Sequence, residues 1–195
     1  RRTAIRHRRV LDWYETVPEI DQDKDAVFGA SLGGFNALFL TAADKRVGAA
    51  ALALVAGDLP FVLANSSEGR IIDAANGAME TLQTDREGLR QYLEENIRSD
   101  PMTLARYMDP GHVLMVLAKF DDAVHYEKQL ELLDAMGNPE SITLPTGHVT
   151  TSAYLFYLRS RVLEFFDRRF GVAEGHRASI DPGTDPGDGR PGDRP

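Results

Sequence analysis

The sequence predicts an α/β fold with a mainly parallel sheet of about four strands, and three observations carry that prediction. Short apolar runs alternate with helix-period segments: Ala26-Val27-Phe28, Ala49 to Val55, Val113 to Ala118 and Ser141 to Leu144 are the runs, and each leads into a helical pattern. Two of them, residues 49–55 and the VLMVLA run at 113–118, are apolar throughout rather than alternating, as strands covered on both faces are. Each run ends in glycine or in polar turn residues, the place where such sheets gather their functional groups. At 195 residues, with 43% hydrophobic and 27% charged residues, the chain is long enough for one core.

The elements follow in order. Residues 1–16 form an amphipathic helix in which Val10, Trp13, Tyr14 and Val17 share the i, i+3, i+4, i+7 stripe, and Pro18 ends it. After a polar connection at 21–25 comes the first short strand, then a helix with Phe35, Leu38, Phe39 and Ala42 on one face. The 49–55 run fits a buried parallel strand, although periodicity alone also fits a buried helix. Residues 58–110 are more polar and carry several short helical patterns. Leu89, Tyr92, Leu93 and Ile97 mark one, and Asp100-Pro101 caps and opens another. VLMVLA is the clearest strand. A helix over 127–136 stops at Gly137-Asn138-Pro139, and residues 153–169 form a long helix with Leu155, Leu158, Val162 and Phe165 inward. From Gly171 the chain is rich in Gly, Pro and Asp and is expected to be a disordered tail.

Composition excludes several classes. The net charge of −8 argues against a nucleic-acid surface, and the arginines at 1, 2, 6, 8 and 9 read as a solvated helix face. Without cysteine there is no disulfide, thiolate metal site or cysteine nucleophile. No apolar run reaches the roughly 18 residues of a membrane span. No histidine–carboxylate spacing points to a metal, and no cofactor is expected. Arg1 opens the chain inside a helical pattern, so a signal peptide cannot be judged and localisation stays open.

The chemistry concentrates at three strand ends. Gly29-Ala30-Ser31-Leu32-Gly33 has the form G-x-S-x-G between a strand and a helix, with glycines to permit a sharp turn and a serine standing proud on it. The 113–118 strand runs into Lys119-Phe120-Asp121-Asp122, and the 141–144 strand into Pro145-Thr146-Gly147-His148. A serine hydroxyl is un-ionised at neutral pH and needs a base, which a histidine supplies, oriented by an acid. The chain order Ser, Asp, His is unlike that of chymotrypsin-like or subtilisin-like enzymes.

On these residues the chain resembles the α/β-hydrolase superfamily, near its esterase and dienelactone-hydrolase-like branches. GASLGG resembles the nucleophile elbow, FDDAVHYEKQ the acid loop and LPTGH the histidine loop. The likeness covers roughly residues 10 to 170, and 58–110 resembles a helical cap inserted before the acid-bearing strand. It implies a serine hydrolase that cleaves small-molecule carboxylic esters through an acyl-enzyme. Ser31 would be the nucleophile, His148 the base, Asp121 the acid with Asp122 as alternative, and the Leu32 amide one oxyanion donor. His125 stands where the family usually has proline. Phe61, Tyr92, Tyr107 and Met108 are candidates for an apolar acyl pocket or for core. His7, His112 and His176 have no identifiable partner in the sequence.

The family normally has further strands before the elbow and a loop that supplies a second oxyanion N–H, and residues 1–25 hold no such segment. The chain is therefore expected to be a fragment or truncated product of a longer hydrolase, or one whose sheet a dimer or partner completes. A non-catalytic binding or scaffold module is the rival reading, and thioesterase, peptidase and acyltransferase chemistries use the same residues.

Overall fold

The structure, a computed structural model, describes residues 2–171; of the stretch expected to be a disordered tail, all but Gly171 lies outside the described residues, as does His176. Four strands form one sheet in the order β1 (Ala26–Ala30), β2 (Ala49–Ala53), β3 (Val113–Ala118) and β4 (Glu140–Leu144), every neighbouring pair parallel. Alanine is a weak strand former, yet AAALA pairs on both sides, with Ala50 opposite Val27 and Val113. That pairing decides between the strand and the helix that periodicity left open. All of β2 and β3 is buried, whereas β1 and β4 are the sheet edges among the described residues.

Alternate residues of the central strands face two helical layers. On one face Ala50, Leu52, Val113, Met115 and Leu117 pack with α2 (Leu32–Ala43), α6 (Pro101–Ala105) and α7 (Tyr126–Ala135) through Leu38, Ala105 and Leu132. On the other, α8 (Leu155–Phe170) sets Val162 and Phe165 on Ala49, Ala51 and Leu114. One turn earlier, Leu158 meets Ala53, Ala118 and Leu144, the last residues of three strands. Leu155, expected inward, projects past those strand ends and is 58% exposed.

The first helix, α1 (Arg2–Tyr14), differs from its expected face. Leu11 is the buried residue, packed with Leu40, Val47 and Tyr14, while Val10 and Trp13 are exposed. The helix docks on α2 through a stripe one residue over, because Arg8 on that side bonds Asp44 at the end of α2 at 2.9 Å. Asp44 is buried, and hydrogen bonds from Arg46 and then Arg8 hold its carboxyl well below the usual carboxylate range. The helix stops at Tyr14, four residues before Pro18.

Between β2 and β3 lie α3 (Leu59–Asn65), α4 (Gly69–Leu82), α5 (Arg86–Asn96) and α6. Side-chain caps start each of them: Asp58, Glu68, Asp85 and Asp100 accept from the N–H groups of Phe61, Ile71, Gly88 and Met102. Asp100 also accepts from the N–H groups of Asp58 and Leu59, which ties the start of α6 to the start of α3. Among the described residues no helix is long and apolar enough to cross a membrane.

Candidate active site

Ser31 follows the last residue of β1 and caps α2 with φ 51° and ψ −123°, a conformation side-chain-bearing residues rarely adopt. Its N–H donates to the Ala53 carbonyl at 2.9 Å, so the neighbouring strand holds the turn. The turn depends on two glycines. A Cβ on Gly29 would overlap the Gly33 carbonyl and lie 2.7 Å from the Gly34 nitrogen. A Cβ on Gly34 would lie 2.5 Å from Val55 and 2.8 Å from the Ala53 oxygen. Gly33, the second glycine of the sequence pattern, has nothing within 4 Å of a Cβ position, so the steric need falls on Gly34 instead.

Three strand ends bring Ser31, Asp121 and His148 together. His148 Nε2 is 2.8 Å from Ser31 Oγ, and His148 Nδ1 is 2.8 Å from Asp121 Oδ2. A carboxylate only accepts, so Nδ1 carries the proton and Nε2 is left to accept from the serine hydroxyl. The His148 loop is held on its own side. Gly147 N–H donates to Thr150 Oγ1 at 2.9 Å, Thr146 and Thr151 hydroxyls bond at 2.7 Å, and Phe120 N–H donates to Thr146 O at 2.9 Å.

Asp121 is buried, and donors surround it. Oδ1 accepts from the N–H groups of Ala123 and Val124, at 3.0 and 3.1 Å. Oδ2 accepts from His148 and, at 3.1 Å, from Gln129 Nε2. These fill the lone-pair positions of a carboxylate and fix its plane. Gln129 lies on α7, fully buried, and its Oε1 accepts the Ala118 N–H at 3.2 Å. Sequence reasoning missed it. The available signal was a glutamine on the buried stripe of α7, three residues before Leu132 and seven before Met136, where an apolar residue is the norm.

The alternative acid, Asp122, is exposed, and its carbonyl accepts the Ser67 N–H at 3.1 Å. His125 caps α7 at φ 60°, which a proline ring cannot adopt, and its Nε2 is 3.1 Å from the Asn65 carbonyl. His112 contacts Arg169 and Asp109, partners the sequence did not reveal. The Leu32 N–H is the first of α2, where backbone donors lack an intrahelical acceptor and favour negative charge.

Ser31 and His148 open onto a cavity of about 600 Å³ walled by α2, α3, α4 and α5. Its wall on α4 is Ile71, Ala74, Ala75 and Ala78, spaced i, i+3, i+4, i+7. The large residues suggested for such a pocket lie elsewhere. Phe61 packs against His125 and beneath Arg90 and Lys128, Tyr92 and Tyr107 are exposed, and Met108 is in the core. The aromatic part of the lining comes instead from Phe35 and Phe39 of α2. No cluster of groups suited to hold a metal ion occurs among the described residues.

No family model matches the chain, and no curated protein does. Solved structures do. The α/β hydrolase GrgF from Penicillium sp. sh18 superposes with a TM-score of 0.62 at 19% identity, over 85% of this chain and 71% of that one. A cold-adapted esterase from an Arctic intertidal metagenomic library gives 0.55 at 19%, over 86% of this chain and 58% of its own. The acylaminoacyl peptidase of Pyrococcus horikoshii gives 0.63 at 14%, over 85% of this chain and 27% of its own. The chain thus spans little more than half of the esterase and about a quarter of the peptidase.

Proposed function

We propose that this chain, which has the α/β-hydrolase fold, is a serine hydrolase that cleaves carboxylic esters through an acyl-enzyme. The unbroken hydrogen-bond chain from Ser31 Oγ through His148 to Asp121, at the mouth of an apolar cavity, carries this reading. Ser31 Oγ attacks the ester carbonyl carbon while His148 Nε2 takes its proton. The carbonyl electrons move onto oxygen, with the Leu32 N–H as one donor to it. Collapse expels the alcohol, which receives the proton from His148, and leaves an acyl group on Ser31. Water, deprotonated by His148, then attacks that acyl carbon, and the acid departs as Ser31 is reprotonated. Asp121 keeps Nδ1–H oriented and stabilises the imidazolium, and Gln129 with the Ala123 and Val124 amides keeps Asp121 in place. In this reading the G-x-S-x-G turn is the nucleophile elbow, and the helices of 58–110 form the cap.

The test is covalent labelling. A fluorophosphonate probe should label the chain, Ser31→Ala should abolish labelling, and turnover of an aryl ester should fall at least about 10³-fold in the same variant. Labelling that survives the substitution removes Ser31 as the nucleophile.

A further inference from the structure

The cavity beside Ser31 has a length and a wall chemistry that the hydrolase reading does not use. It follows one stripe of α2, from Leu32 through Phe35 to Phe39. Seven residues of helix rise about 10 Å, and a straight hydrocarbon chain advances about 1.25 Å per carbon, so the stripe matches about eight carbons. The opposite wall is the small-residue stripe of α4, with Leu93 of α5 beside it. Away from Ser31 and His148, the polar lining is Glu68 and Arg70, and these two are engaged with each other at 3.1 Å. Glu68 also accepts the Ile71 N–H at 3.0 Å, as the cap of α4. The rest of the lining is apolar side chain, and a charged or hydroxylated ligand group set against it would lose its hydration.

We propose that this cavity holds the straight, uncharged hydrocarbon chain of a medium-length ester, about eight carbons long, with Ala78 and Leu93 setting how much chain it accepts. The inference rests on the hydrolase reading for the ester group at Ser31; the chain-binding part stands on the cavity alone. Burying each added methylene is worth up to about fourfold in affinity or in kcat/KM until the space is full.

The experiment has two arms. In the first, Ser31→Ala, which removes the attacking oxygen and leaves the cavity walls, is titrated with 4-nitrophenyl octanoate, octyl acetate and 4-nitrophenyl acetate. Binding of an eight-carbon ester at least tenfold tighter than the acetate is expected; the two octyl compounds tell whether the chain enters from the acid or the alcohol side. In the second, the unsubstituted protein is assayed on 4-nitrophenyl esters from acetyl to hexadecanoyl. The profile should rise to about octanoyl and then fall. Ala78→Phe should move the maximum to shorter chains and Leu93→Ala to longer ones, opposite shifts that a folding defect cannot produce together. Equal binding of octanoyl and acetyl esters, or a profile that falls from acetyl, overturns the chain-binding proposal. Tight octanoyl binding without turnover upholds the cavity's ligand and overturns the hydrolase reading instead.

Discussion

The two sides of Ser31 are built to different degrees. Toward α3, α4 and α5 the serine faces a walled cavity, the acid has donors on both oxygens, and the histidine loop is bonded into the end of the sheet. Toward the edge of β1 the surroundings are open among the described residues: Phe28 is half-exposed, and nothing lies near a Cβ position on Gly33. The difference separates what holds the serine from what surrounds it. Gly34 packs against β2 and the loop after it, and Gly29 against the backbone of Gly33 and Gly34, and these close contacts hold the strained turn while the edge side adds little to it.

Glycine substitutions test that asymmetry most sharply. Gly29→Ala and Gly34→Ala should each destabilise by about 3 kcal/mol or more, because the added methyl meets backbone that cannot move aside. Both should lose fluorophosphonate labelling with the turn. Gly33→Ala should be neutral or stabilising by up to about 1 kcal/mol, since it fills open space at the start of a helix. Thermal melts of the three variants decide it; a Gly33→Ala protein as unstable as the other two would mean the edge side also clamps the turn.

The next effect lies wholly on the built side. Gln129→Leu removes one donor to Asp121 and orphans the Ala118 N–H. It should cost about 1–3 kcal/mol in stability and lower kcat about 10- to 100-fold with KM little changed, as loosening of the acid reaches His148. Gln129→Glu, which sets a second carboxylate against Asp121, should lose more activity and shift the pH profile, a change that a purely structural role would not produce. An unchanged kcat in both variants would reduce Gln129 to a core hydrogen bond.

Local pattern decided what was legible in the sequence. VLMVLA announces a strand because a stretch apolar at every position suits a two-faced sheet, the 49–55 run needed its pairing with β1 and β3 to exclude a buried helix, and Ser31, Asp121 and His148 stand within a few residues of strand ends, where a parallel sheet collects its polar groups. The sequence puts Asp121 ahead of Asp122 by its place in the loop, and in the structure the first meets His148 while the second is exposed. Gln129 was hidden because a single glutamine on a helix reads as surface. The cavity was hidden because it lies between helices far apart in sequence, with Phe35 and Phe39 of α2 on one wall and Ala74, Ala75 and Ala78 of α4 on another. Apolar spacing points to Val10 and Trp13 rather than Leu11 because it does not register that Arg8 has a buried acid to reach.

The smallest effect belongs to the open side. Val27 points to α2, so Phe28, its neighbour on the strand, faces the layer that α8 provides. The inward residues of α8, Val162 and Phe165, sit on Ala49, Ala51 and Leu114 of the two central strands, and Phe28 at the edge stays 50% exposed. Phe28→Ala should therefore cost no more than about 1 kcal/mol, because only part of the ring leaves contact with protein. Leu114→Ala, beneath α8 on a central strand and fully buried, should cost about 2–5 kcal/mol, since it opens a cavity that its neighbours cannot fill. Denaturant titrations of the pair measure the difference directly. A Phe28→Ala cost equal to that of Leu114→Ala would mean that something covers the β1 edge in solution, and the open side of Ser31 would then be as fully built as the other.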